Sequence, residues 1–157
     1  MIRAKFTLCA VVAAAAVLAA SAAPASGAAT RAEYIAQADP ICAKDLRLQG
    51  MALKGYFNDL AKERWRPAAR KMSKAIPPYV EMVGDLRALS PPAADAPGIT
   101  DWENKLASQI PLARRLASAL RSENRRRIGK SNNRLIAAST KAMAMVRGFG
   151  FKDCDEV

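Results

Sequence analysis

Four stretches of this chain carry apolar residues three or four positions apart, and none alternates with the period of two that a strand requires. That pattern confines the fold to helices packed on helices. The cleanest stripe is Trp102, Leu106, Ile110, Ala113, Leu116/Ala117 and Leu120. It predicts a helix from Thr100, where Thr100 and Glu103 stand at capping-box spacing, with a bend at Pro111.

The first helix is expected to open at another capping box, Thr30 with Glu33. Its apolar face runs through Tyr34, Ala38, Ile41/Cys42, Leu46, Leu53, Phe57 and Leu60. Pro40 should kink or restart it, with Asp39 as a second N-cap. Gly50 and Gly55 weaken its second half and allow a break there. Arg64 to Pro67 reads as the first hairpin, because the residue before a proline is pushed away from helix. A second helix follows from Pro67 to Leu89, with Met72, Ile76, Tyr79/Val80, Val83 and Leu86 inward and a bend at Pro77 and Pro78. Ser90 to Gly98 is rich in breakers and forms a loop. The last helix starts between Asn124 and Ser131, turns Ile128, Leu135, Ser139, Ala142/Met143 and Val146 inward, and stops at Gly148. Four such helices with short connections predict an all-α, up-down-up-down four-helix bundle with kinked helices, one domain over residues 30–157.

Ahead of that domain, Arg3 and Lys5 precede a charge-free run from Phe6 to Ala20, and small residues follow from Ser21 to Ala29. This is the layout of a secretory signal peptide, assigned to residues 1–27. The same run approaches the ~20 residues of a membrane span, so an uncleaved anchor is the alternative. Cys9 follows Leu8 at the start of the run and lacks the setting of a lipid-modified cysteine. Cleavage removes two cations and no acids. The 25 Lys+Arg and 14 Asp+Glu of the whole chain thus become 23 and 14, a net charge of +9.

The exported chain keeps Cys42 and Cys154. In an oxidising compartment two cysteines read as one disulfide rather than two free thiols. In the proposed topology the start of the first helix and the end of the fourth share a pole, which brings the two cysteines within reach.

Three segments together, Tyr34 to Ala43, Leu86 to Asp95 and Gly148 to Cys154, give the chain a family likeness. It resembles a broad group of small, secreted or lipid-anchored, uncharacterised helical proteins of high-GC Gram-positive bacteria. The resemblance spans most of the exported chain and supports the cysteine pairing, the fold and the location. It implies no activity. The chain departs from the group at Pro40, in the glycine-interrupted stretch after Arg47, and in lacking a lipidation motif.

Chemistry is limited from the outset. With no His in 157 residues, His-based nucleophile activation and His-ligated metal or haem are excluded. Glu81 and Asp85 are the nearest approach to a carboxylate pair, and their spacing also suits a solvated helix face. The methionines suit core filling better than a copper site. No catalytic residue, cofactor, metal site or small-molecule substrate is expected.

Charge is the most informative feature. Lys62, Arg64, Arg66, Arg70, Lys71 and Lys74 flank the first hairpin, and Arg121, Arg125, Arg126, Arg127, Lys130 and Arg134 flank the third. The topology places both at one pole. Most acids, including Asp39, Asp95, Asp153 and Glu156, are expected ~35 Å away at the other, well beyond the screening length in physiological salt. Trp65 either stacks on a ligand or closes the core.

The reading is an exported, non-catalytic binding module of the cell envelope or medium, whose basic pole meets anionic envelope polymer or anionic lipid headgroups. The residues expected to bind are Arg64, Arg66, Arg70, Lys71, Arg121, Arg125, Arg126, Arg127 and Lys130. Alternatives are a membrane-active or polyanion-binding effector and an enzyme working by Arg and Lys electrostatics alone. The oligomeric state is left open.

Overall fold

The computed structural model describes residues 29–157, so the expected leader lies outside the described residues. Among those residues the protein is all-helical, with four long helices and one short one. These are α1 (Arg31–Ala52), α2 (Tyr56–Ala61), α3 (Trp65–Arg87), α4 (Ala96–Arg121) and α5 (Arg125–Val146).

Local chemistry sets most of the boundaries. The Thr30 hydroxyl accepts the Glu33 N–H at 3.2 Å, and the Glu33 carboxylate accepts the Thr30 N–H at 2.7 Å, which completes the capping box. The break allowed by the glycines falls at Leu53 to Gly55, where Gly55 adopts φ 72° ahead of α2. Asn124 caps α5 by accepting the Arg127 N–H at 3.0 Å.

Three boundary expectations are corrected. Pro40 does not restart the first helix, since α1 runs unbroken from Arg31 to Ala52 with the proline exposed on its surface. Asp39 therefore caps nothing within α1 and serves the C-terminal tail instead. The third long helix begins at Ala96 rather than Thr100, because Pro97 fits a first turn whose N–H groups are unpaired in any case. Thr100 and Glu103 accordingly lie inside α4, and Glu103 is buried.

α3 packs on both α1 and α4, α4 packs on α5, and α2 lies against α3. Arg121 donates to Ser73 while Arg87 donates to Asn104, so α3 and α4 run antiparallel. No Cα of α1 comes within 8 Å of one in α5.

Tail residues 147–157 close one end of that open seam. Phe151 stacks on Trp102 with ring centroids 5.4 Å apart, and Phe149 meets the Tyr34 ring edge-on at 6.3 Å. Cys154 is bonded to Cys42, with Cα atoms 5.1 Å apart. The Asp39 carboxylate accepts the backbone N–H groups of Lys152, Asp153 and Cys154 at 3.1 to 3.3 Å. Cys154 and Phe151 are buried as a result.

The apolar core falls into two clusters. One, at the disulfide end, centres on Tyr34, Leu86, Trp102, Leu106 and Phe151. The other, at the hairpin end, centres on Tyr56, Ala68, Met72, Leu116 and Leu120. Trp65 is half-buried against this second cluster, in the core-closing role.

Candidate functional site

The two basic hairpins meet. Each helix ending there, α2 and α4, stops at a glutamate with φ 53°, Glu63 and Glu123 respectively. Arg66 at the start of α3 donates to Glu123 at 2.7 Å, and Arg125 at the start of α5 donates to Glu63. The first hairpin thus supplies an acid to the second and receives one in return. Arg64 and Lys71 share Asp59 at 2.5 Å each. Asp59 is buried, and these two cations hold its carboxyl below the usual range.

The expected binding residues therefore divide. Arg64, Arg66, Lys71 and Arg125 are engaged by Asp59, Glu63 and Glu123. Arg70, Arg121, Arg126, Arg127 and Lys130 are exposed and have no carboxylate within 4.0 Å among the described residues, as do Lys62, Lys74 and Arg134. Twelve cations face three acids at this end, and all three acids are already paired. Phe57 on α2, just ahead of the first hairpin, is 77% exposed, and Met51 on the last turn of α1 is 62% exposed. The stripe reading turned Phe57 inward. It faces out because the break at Gly55 resets the helix phase, so that Tyr56 takes the buried place.

Between the two core clusters lies a cavity of about 300 Å³ that the stripe reading missed. α1 contributes Leu46, Gln49 and Leu53, and α3 contributes Met72, Ala75, Ile76 and Tyr79. α4 adds Gln109, Ile110 and Ala113, and α5 adds Leu135, Ile136 and Ser139. Glu156 and Val157 of the tail form its remaining wall. Glu156 thus borders the middle of the bundle rather than its far end.

The cavity exists because the tail fills only the disulfide half of the seam between α1 and α5. Ala75, Ala113 and Ser139 are too small to fill the other half from the facing helices. This is why Ile76, Tyr79, Ile110, Ala113, Leu135 and Ser139, all on predicted inward stripes, are only half-buried. Small residues at mid-stripe on three helices were the signal available in the sequence.

The cavity walls are mostly apolar. No arginine or lysine lines them, and Glu156 is the one charged side chain on them. The Gln109 amide is 5% exposed, and its nitrogen has no hydrogen-bond partner. Gln49 donates to Asp45 at 2.6 Å, and the Tyr79 hydroxyl donates to the Leu106 carbonyl at 3.4 Å. Asp45 is 2% exposed, and burial raises its carboxyl above the usual range despite the Gln49 bond. At the disulfide end the Tyr34 hydroxyl donates to Glu103 at 3.4 Å, and burial raises that carboxyl too.

Among the described residues no cluster of His, Cys, Asp and Glu is arranged to hold a metal ion, and no helix is long and apolar enough to cross a membrane. No family model, curated protein or solved structure matches this chain.

Proposed function

We propose that this chain is an exported up-down-up-down helical bundle that docks its hairpin end on an anionic lipid surface. The observation that carries the reading is the exposed Phe57 on α2, at the hairpin end that also carries eight cations without acidic partners among the described residues. Basic residues near an anionic bilayer each contribute about 1 kcal/mol, and an exposed aromatic adds burial in the interface. An anionic envelope polymer would use the cations and leave Phe57 without a role, which favours lipid over polymer. Export is supported by the leader-like first 27 residues and by the disulfide, a bond that persists in oxidising compartments.

Co-sedimentation with phosphatidylglycerol-containing vesicles tests the reading. The protein should bind them, ignore phosphatidylcholine vesicles, and release as salt is raised. Phe57→Ser should weaken binding by about tenfold, the scale expected for one aromatic side chain leaving an apolar interface. Reversing Arg125, Arg126 and Arg127 to Glu should abolish it with the helical circular dichroism intact. Binding indifferent to Phe57, or matched by soluble anionic polymer, would overturn the lipid reading. Unchanged binding after the triple reversal would remove the basic end from it.

A further inference from the structure

We infer that the mid-bundle cavity is a binding site for one neutral, mostly apolar small molecule carrying a carbonyl-type oxygen. The inference stands apart from the basic end and does not depend on lipid docking.

Size comes first. The opening of about 300 Å³ between the two core clusters is a cleft with exposed Ile136 and Glu156 at its rim, so a ligand can enter it from solvent. It reaches the lower end of the range for small-molecule sites, roughly 300 Å³ and upward. It is also about twice the apolar cavity of roughly 150 Å³ that admits benzene, which points to a ligand of about a dozen heavy atoms.

Polarity comes second. Leu46, Ile76, Ile110 and Leu135 face the space from four helices and favour an apolar body. Glu156 is the only charged side chain on the walls and no Lys or Arg answers it, so a carboxylate or phosphate headgroup would find repulsion and no partner. A cation would gain little either, because Glu156 is exposed and its charge is screened by solvent, so the mostly apolar walls favour a neutral ligand.

The third observation fixes the polar group. Gln109 is 95% buried at the cavity wall, counted from its 5% exposure, and its amide nitrogen is unpartnered. A buried donor left unpaired is costly, and an oxygen acceptor inside the cavity would satisfy it. A ketone, ester or amide oxygen meets the requirement. A pure hydrocarbon does not.

Benzophenone is a suitable probe, being a neutral diaryl ketone of this size that couples to nearby C–H bonds on irradiation. Oxidised wild-type protein irradiated with it should be labelled in the peptide containing Met72, with protection by excess benzanilide, a neutral diaryl amide that does not couple at the wavelength used. By calorimetry, 4-benzoylbenzoate, the same skeleton with a carboxylate, should bind about tenfold more weakly. Gln109→Leu should weaken benzophenone by about fivefold and leave diphenylmethane, which lacks the oxygen, unchanged, as expected for one hydrogen bond. Ala113→Phe and, separately, Ser139→Leu should fill the space and abolish labelling at Met72.

Labelling elsewhere with none at Met72 would overturn the site. Equal affinity for the charged and neutral ketones would overturn the ligand class, as would equal loss of ketone and hydrocarbon in Gln109→Leu. Sedimentation showing a dimer that Ile136→Glu dissolves, together with no ketone binding by wild type, would give the cavity to a second copy of the chain and sink the inference.

Discussion

Asp39 accepts the backbone N–H of Cys154 at 3.3 Å, three residues along α1 from Cys42, to which Cys154 is covalently joined. The same carboxylate also holds the N–H groups of Lys152 and Asp153 at 3.1 Å. These are charge-assisted bonds in a largely buried setting, and removing the carboxylate leaves three backbone donors to find other partners. Asp39→Ala should destabilise the protein by about 2–3 kcal/mol, read from urea unfolding. It should also make the disulfide easier to reduce at a fixed dithiothreitol concentration, because the backbone around Cys154 then loses its hydrogen-bonded tie to α1. Asp39→Asn keeps the acceptor oxygen and should recover part of both effects.

The disulfide bridges a sequence separation of 112 residues. Chain-entropy arguments put a loop of that order at about 4–5 kcal/mol. The double variant Cys42→Ala, Cys154→Ala should lose stability on that scale. Paired unfolding curves with and without reductant give the check, and a wild-type curve insensitive to reductant would contradict it.

Glu63 and Glu123 share φ 53°, a backbone conformation that suits glycine and strains other residues. Their ion pairs with Arg125 and Arg66 are exposed, and exposed pairs contribute little. Replacing both with Gly should therefore leave stability unchanged or raise it by up to about 1 kcal/mol. It should also free two arginines and tighten binding to anionic vesicles. Thermal melts and vesicle co-sedimentation on one preparation separate the two effects.

Asp45 gives a pH signature opposite to that of an ion-paired acid. Its carboxyl is raised by burial, so the folded state holds the proton more firmly than the unfolded chain does. The stability this provides is complete below the unfolded value, about pH 4, and is lost as pH rises through the higher folded value. Asp45→Asn abolishes the titration and still accepts from Gln49. At pH 7 it should be more stable than wild type, on the order of 1 kcal/mol, because a buried charge no longer has to be desolvated. At pH 3 the gain should vanish. A urea midpoint series from pH 3 to pH 8 on both proteins tests the sign.

Periodicity was enough to read the helices, because each long one turns a single stripe inward and ends at recognisable chemistry such as Asn124 or the break before Gly55. Prolines misled. Pro40 sits on an exposed face where its missing N–H is tolerated, and Pro97 starts a helix rather than ending a loop. The cations were legible as a cluster, but their partners were not. Whether Arg125 meets Glu63 or water depends on how two hairpins 62 residues apart come together. The cavity was hidden for a related reason. A stripe shows which residues point inward, and only the three-dimensional arrangement shows that Ala75, Ala113 and Ser139 line one opening.

The bond between Cys42 and Cys154 also decides how the molecule carries tension. A pull between Arg31 and Val157 runs along the first half of α1, crosses the sulfur bridge and leaves through the last residues of the tail. At ~3.5 Å per extended residue, the two stretches are taut at a total length of roughly 50 Å. Everything between residues 43 and 153 then stands outside the load, with α3, α4 and α5 slack while the strap is tight. A pull on those two residues would draw the strap out to that length and no further, with α3, α4 and α5 outside the line of force.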